Sequence, residues 1–113
     1  MAKKEPFIDG VPELLLLRLL SRREMYGYEL VAEIHACSEG AFSFGEGCVY
    51  PILHRLVANR GLRVGKEMVS GRPRRYYSLT AKGKKRFTEL ERSWDTVSAG
   101  INNFGKEGRN ATA

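Results

Sequence analysis

The sequence predicts a mainly α fold with one small β-hairpin, and three observations carry that expectation. Apolar residues recur at helical spacing through most of residues 12–59, strand-like patterning replaces it between Leu62 and Leu79, and a second helical repeat runs from Phe87 to Phe104. With 113 residues the chain has room for one domain and a modest core, which excludes large two-domain enzymes.

The first helix is expected from about Pro12 to Arg22, with Pro12 suited to an opening turn and Leu14, Leu15 and Leu17 among its buried positions. A second runs from about Tyr28 to Ser38 on the stripe Leu30, Val31, Ile34 and Cys37, after a plain link over residues 24–27. Phe42 and Phe44 alternate with Ser43, so residues 41–45 read as a very short strand. A third helix follows from about Gly47 to Asn59, closed by Gly61. On its wheel Val49, Ile52, Leu53, Leu56 and Val57 share one side, and Gly47, Tyr50, Pro51, His54 and Arg55 share the other. Pro51 lacks a backbone donor and belongs within the first turns or marks a kink.

Two strands, Leu62–Val69 and Arg75–Leu79, are expected around a Gly- and Pro-containing turn over residues 70–74. Thr80 has the hydroxyl to cap a last helix, in which Phe87, Leu90, Trp94, Val97, Ile101 and Phe104 recur at spacings of 3, 4, 3, 4 and 3. This strict seam describes a helix packing along another helix, and with no second such helix in the chain the expected partner is another copy. The organisation is then a first unit over residues 1–79, a dimerisation helix over 80–106 and a flexible tail over 107–113.

Charge is unevenly spread. The chain carries 19 Lys and Arg against 13 Asp and Glu, yet residues 60–86 alone hold ten basic residues and one acidic one, Glu67. Concentrated on one segment, such charge is the footprint of a phosphate-bearing partner, whereas dispersed charge serves solubility. The longest apolar stretch, Leu14–Leu20, contains Arg18 and falls short of the roughly 18 residues that span a bilayer. Asp9 and Glu13 stand where a secretory leader needs an apolar run. No membrane partner is expected, and the expected location is the cytoplasm. There Cys37 and Cys48 are reduced thiols, and the Asn110-Ala111-Thr112 sequon is a chance match.

His35, Cys37, Cys48 and His54 lack the compact spacing of a preformed metal site, so no metal or cofactor is expected. No nucleophile triad, carboxylate pair or phosphate-cradling glycine loop appears, and catalysis is not expected.

Three helices followed by a hairpin with an arginine-rich tip is the order of a winged helix-turn-helix domain, here joined to a C-terminal dimerisation helix. The run Gly47-Cys48-Val49-Tyr50-Pro51-Ile52-Leu53-His54-Arg55-Leu56, then Gly61-Leu62, then Gly71-Arg72-Pro73-Arg74-Arg75-Tyr76-Tyr77-Ser78-Leu79-Thr80-Ala81-Lys82-Gly83, resembles the PadR family of bacterial transcriptional regulators. Tyr26-Gly27-Tyr28-Glu29-Leu30 is similar to that family's entry into the second helix, and the matches span about residues 14–104. The short C-terminal helix resembles the family's compact branch. At Cys48 the chain departs from the family's usual small hydroxyl residue, most often threonine.

The resemblance implies a homodimeric repressor that binds a palindromic operator in double-stranded DNA and leaves it when a small effector, often aromatic, binds. Tyr50, Pro51, His54 and Arg55 would then face the major groove from the third helix. Arg72, Arg74 and Arg75 on the wing would hold phosphates or enter a narrow minor groove, with one of Arg74 and Arg75 turned away by strand alternation. Trp94, central in the dimer seam, is the candidate effector contact. The alternative from another class is a winged-helix protein-interaction module whose basic wing meets an acidic protein.

Overall fold

The computed structural model describes residues 10–112, with side chains described as far as Gly105. Asp9 and the side chains of the Asn110 sequon lie outside the described residues. The elements run α1 (Val11–Leu20), β1 (Met25–Tyr26), α2 (Gly27–Cys37), α3 (Glu46–Ala58), β2 (Leu62–Val69), β3 (Arg72–Leu79) and α4 (Ala81–Thr112). The winged helix-turn-helix architecture expected from the sequence is therefore present, with a sheet larger than the hairpin alone.

Leu14, Leu16, Leu17, Leu19 and Leu20 of α1 are all buried, so this helix is apolar nearly all round and sits at the centre of the domain. Pro12 occupies its opening turn, where the missing N–H costs nothing. Around α1 pack Leu30 and Ile34 of α2, Val49, Leu53 and Leu56 of α3, Leu62 and Tyr77 of the sheet, and Leu90 of α4.

The link expected before α2 contains a strand. Met25 and Tyr26 pair antiparallel with Tyr77 and Tyr76, making a three-stranded sheet in the order β1-β3-β2. Two residues are too short a run for period-two patterning to reveal. Tyr26 then opens α2, its backbone N–H donating to the Glu29 carboxylate at 2.9 Å and so holding one of the chain's amides at the helix entry.

Residues 41–45 are a loop and not the short strand the Phe42–Phe44 alternation implied. Among the described residues no strand pairs with them. Instead the Ser38 hydroxyl accepts the Phe42 N–H at 3.0 Å, and the two phenylalanine rings stack with centroids 5.7 Å apart.

The hairpin turn is tighter than expected. Only Ser70 and Gly71 connect the strands, with φ of 51° and 78°, and β3 begins at Arg72 rather than Arg75. Positive φ at both central residues matches the right-handed twist of the flanking strands. Pro73 is accommodated because Val69↔Arg72 closes the turn and Met68↔Pro73 is the next pair. Antiparallel pairs alternate, so the Pro73 nitrogen points away from β2, toward an edge that β1 does not reach.

Thr80 caps α4 as its hydroxyl suggested, accepting the Gly83 N–H at 3.1 Å and reaching the carbonyls of Arg60 and Gly61 at 2.7 and 2.9 Å. Gly83 rests directly on the Gly61 carbonyl, leaving no room for a Cβ. The helix continues to Thr112, past the boundary expected at residue 106, without a break at Gly100 or Gly105. A helical glycine costs about 1 kcal/mol relative to alanine, less than a proline stop, and no proline follows.

Candidate nucleic-acid interface

The start of α2 touches both α3, through Tyr50 at Gly27, and the wing formed by β2 and β3, through Arg74 at Tyr28. On α3, Val49, Leu53 and Leu56 are buried while Gly47, Pro51 and His54 are exposed, as the wheel required. Proline at position 51 removes the donor that would bond the Gly47 carbonyl four residues back, and Gly47 itself is exposed with nothing within 4 Å of a Cβ. Pro51 and His54 thus stand on the outward surface of α3, where the Gly47 carbonyl lacks the amide partner that residue 51 would otherwise supply.

Two residues placed on that face have other engagements. Tyr50 is partly buried, its ring edge 2.8 Å from where a Gly27 Cβ would stand, so it fastens α3 to the start of α2. Arg55 turns toward α1 and donates to the buried carboxylate of Glu13 at 2.7 Å, which Arg86 of α4 also meets at 2.9 Å. Glu13 thereby ties three helices together.

On the wing, register places Lys66 opposite Arg75, Glu67 opposite Arg74 and Val69 opposite Arg72. Arg72, Arg75 and Lys66 are exposed. Arg74 lies on the opposite face from Arg75, in line with strand alternation, and its guanidinium stands 5.1 Å above the Tyr28 ring. That ring is stacked on Tyr26 at 5.6 Å, and Tyr26 meets Tyr76 edge-on at 6.3 Å. Partial burial, and then the neighbouring Glu67 carboxylate, hold the Tyr26 phenol above its ordinary range. The sequence reading did not single out Tyr28, Lys66 or Glu13. Two tyrosines flanking Gly27 were a visible signal for the first, but the partner across the sheet was not.

The C-terminal seam divides into two parts. Leu90 is buried, with Phe87 and Trp94 packed against the same core, and Arg18 of α1 pairs with Glu91 at 3.0 Å. This first half is used inside the protomer, since α1 supplies the second helix that the sequence reading did not identify. Val97 is half-buried, and Ile101 and Phe104 are 58% and 78% exposed.

Cys37 and Cys48 are free thiols, and Cys37 meets the Glu33 carboxylate at 3.4 Å. Among the described residues no three His, Cys, Asp or Glu side chains gather to hold a metal, and no helix is long and apolar enough to cross a membrane.

The sequence model of the transcriptional regulator PadR-like family matches residues 16–89, from α1 through the wing into α4. The chain belongs to that family. It is 32% identical over 92 residues to a transcriptional regulator of Mycobacterium tuberculosis, covering 81% of this chain and 83% of the relative. Among solved structures it is similar to a PadR-like transcriptional regulator of Bacillus cereus, with 32% identity, TM-score 0.73 and coverage of 87% and 94% of the two chains. A transcriptional regulator of Clostridium thermocellum shares the fold at TM-score 0.77 and 24% identity over 89% of this chain and 98% of that one. As a PadR-like protein the chain is a DNA-binding transcriptional regulator and not an enzyme, and the protein-interaction module is set aside.

Proposed function

We propose that this PadR-like chain is a homodimeric repressor that leaves a palindromic operator when a small, planar aromatic effector binds near Trp94. Residues 1–79 form the reading unit and the helix from residue 80 the pairing unit. The observation that carries the dimer is the distal half of α4: Ile101 and Phe104 continue the seam of Leu90 and Trp94, yet stand in solvent. A second copy covers such a stripe with the same residues, as a two-fold interface demands.

Pro51, His54 and the open Gly47 backbone face the major groove, and Arg72 and Arg75 hold phosphates from the wing. Phosphate contacts fix register while the groove face of α3 chooses sequence. Trp94 is the effector contact because it sits where the packed and open halves of the seam meet, so a ligand there alters how two copies of α4 lie together. The cytoplasm, where operator DNA is accessible, is the place of action.

Selection of bound sequences from a random duplex pool tests this reading. Recovery of an inverted repeat supports a two-fold dimer with half-sites about 34 to 36 Å apart. A single asymmetric half-site contradicts it. Titration of planar cationic dyes, followed by Trp94 fluorescence with and without that DNA, tests the effector, and dyes that alter neither signal return Trp94 to packing alone.

A further inference from the structure

We propose that Arg74 and Tyr28 form a lock that fixes the wing against α2, making Arg74 a positioning residue for the wing's exposed arginines rather than a phosphate ligand. The role in DNA binding rests on the proposed function; the lock itself does not.

Arg74 of β3 reaches the first turn of α2. Its guanidinium carbon lies 5.1 Å from the centre of the Tyr28 ring, a separation at which a cation is drawn to the aromatic face. Tyr28 belongs to α2 and Arg74 to β3, so this contact joins the helix-turn-helix unit to the wing. The layer continues behind it. Tyr26 of β1 stacks on Tyr28 with planes 9° apart, Tyr76 of β3 meets Tyr26 edge-on, and the Tyr76 ring covers Gly65 of β2 so closely that no Cβ fits. One column of side chains therefore crosses α2 and all three strands.

Arg74 is also poorly presented for an external anion. Its Nε is shielded from solvent and has no hydrogen-bond partner among the described residues. One of the guanidinium's forked edges uses Nε, and here that edge is closed. Glu67, its register partner, places a carboxylate on the same face of the hairpin, where it accepts from the Tyr26 phenol. Arg72 carries neither restraint and is exposed, and Arg75, although its side chain donates to the Tyr77 phenol oxygen, is exposed as well and faces Lys66 rather than a carboxylate.

Two measurements on the full chain test the lock. Amide hydrogen exchange of β2 and β3 in the free protein should be about two- to fivefold faster in Tyr28→Leu and in Arg74→Ala, with the double variant no faster than either. Tyr28→Phe, which keeps the aromatic face, should exchange like the parent. Additive effects, or unchanged exchange in Arg74→Ala, would overturn the lock. If Tyr28→Leu fails to fold, Arg74→Ala against Tyr28→Phe decides the same point.

The second measurement is anisotropy titration with a duplex of arbitrary sequence across a salt series. Arg72→Ala should lower the slope of log K against log salt by about 0.9, the loss of one phosphate contact. Arg74→Ala should weaken binding with the slope retained. A slope loss in Arg74→Ala equal to that of Arg72→Ala makes Arg74 a phosphate ligand and refutes its positioning role. Absence of DNA binding by the parent chain refutes the proposed function instead, with the exchange result still deciding the lock.

Discussion

Arg55, on the helix whose exposed face is turned outward, donates at 2.7 Å to Glu13, a carboxylate with only 6% of its side chain exposed. A buried carboxylate without cationic partners would be costly, and Arg86 supplies the second one. Arg55 is thus committed to the fold before any nucleic acid arrives.

Removing that carboxylate should be expensive. Glu13→Ala is expected to lower stability toward the lower end of about 1.5–3 kcal/mol, the range for hydrogen bonds to charged groups, because both arginines are about half exposed and recover water. Urea unfolding checks this through the midpoint at constant slope. Arg55→Ala should destabilise less and leave the salt dependence of DNA binding unchanged; a drop of about one in that slope would show that Arg55 leaves Glu13 for a phosphate.

The two halves of the α4 seam should respond differently to charge. Leu90→Asp places a carboxylate in the protomer core and should unfold the chain, at a cost of several kcal/mol. Ile101→Asp with Phe104→Asp should leave a folded protomer with native helical content that sediments as a monomer. Retention of the parent's sedimentation behaviour by that double variant would show that pairing does not use the distal seam.

The wing turn can be relieved. Ser70 holds φ of 51°, a conformation that asparagine tolerates far better than serine. Ser70→Asn should stabilise the fold by up to about 1 kcal/mol, read as a higher thermal midpoint, without altering the hairpin register. A lower midpoint would mean that the serine makes a compensating contact.

Stability should decline at both ends of the pH range. Burial raises the Tyr77 phenol above its ordinary 10.0, and Tyr26 is raised as well. Groups with raised folded values contribute stability that is whole below the unfolded value and lost as pH climbs through the folded one. Glu29 is the reverse case: the Tyr26 N–H, then Arg23, hold it below 4.5, so its contribution is whole above that value and lost as pH falls through the folded one. Urea midpoints measured across pH should fall above about 10 and below about 4.5, and Glu29→Gln should remove part of the acid limb. An acid limb unchanged in Glu29→Gln would assign the loss to other carboxylates.

Periodicity made the four helices and the hairpin legible, because burial of one face imposes a repeat that survives without coordinates. What escaped it was short or paired at a distance. Met25–Tyr26 is a strand only because Tyr76 and Tyr77 lie beside it, and Phe42–Phe44 is not one because none of the described strands pairs with it. Pro73 looked like a turn residue because its tolerance in β3 depends on which edge is open. On the candidate interface the wheel correctly left Pro51 and His54 exposed. It could not foresee that Glu13 claims Arg55 or that Tyr28 claims Arg74, since those partners lie on other elements. The seam misled for a related reason: α1 covers its first half, and α1 has no heptad of its own to announce the match.

Gly83 bears backbone to backbone on Gly61, with the Leu79 side chain closing the same gap, so the base of α4 is held tightly against the reading unit. From Gly83 to Val97 is an arm of about 21 Å at 1.5 Å rise per residue. In the proposed dimer, a tilt of about 10° where two such arms cross would swing the far end by roughly 3.7 Å, close to the 3.4 Å step between neighbouring base pairs along one strand. On that proposal, a ligand at Trp94 would need only a slight change of crossing angle to put the two reading helices out of phase with their half-sites.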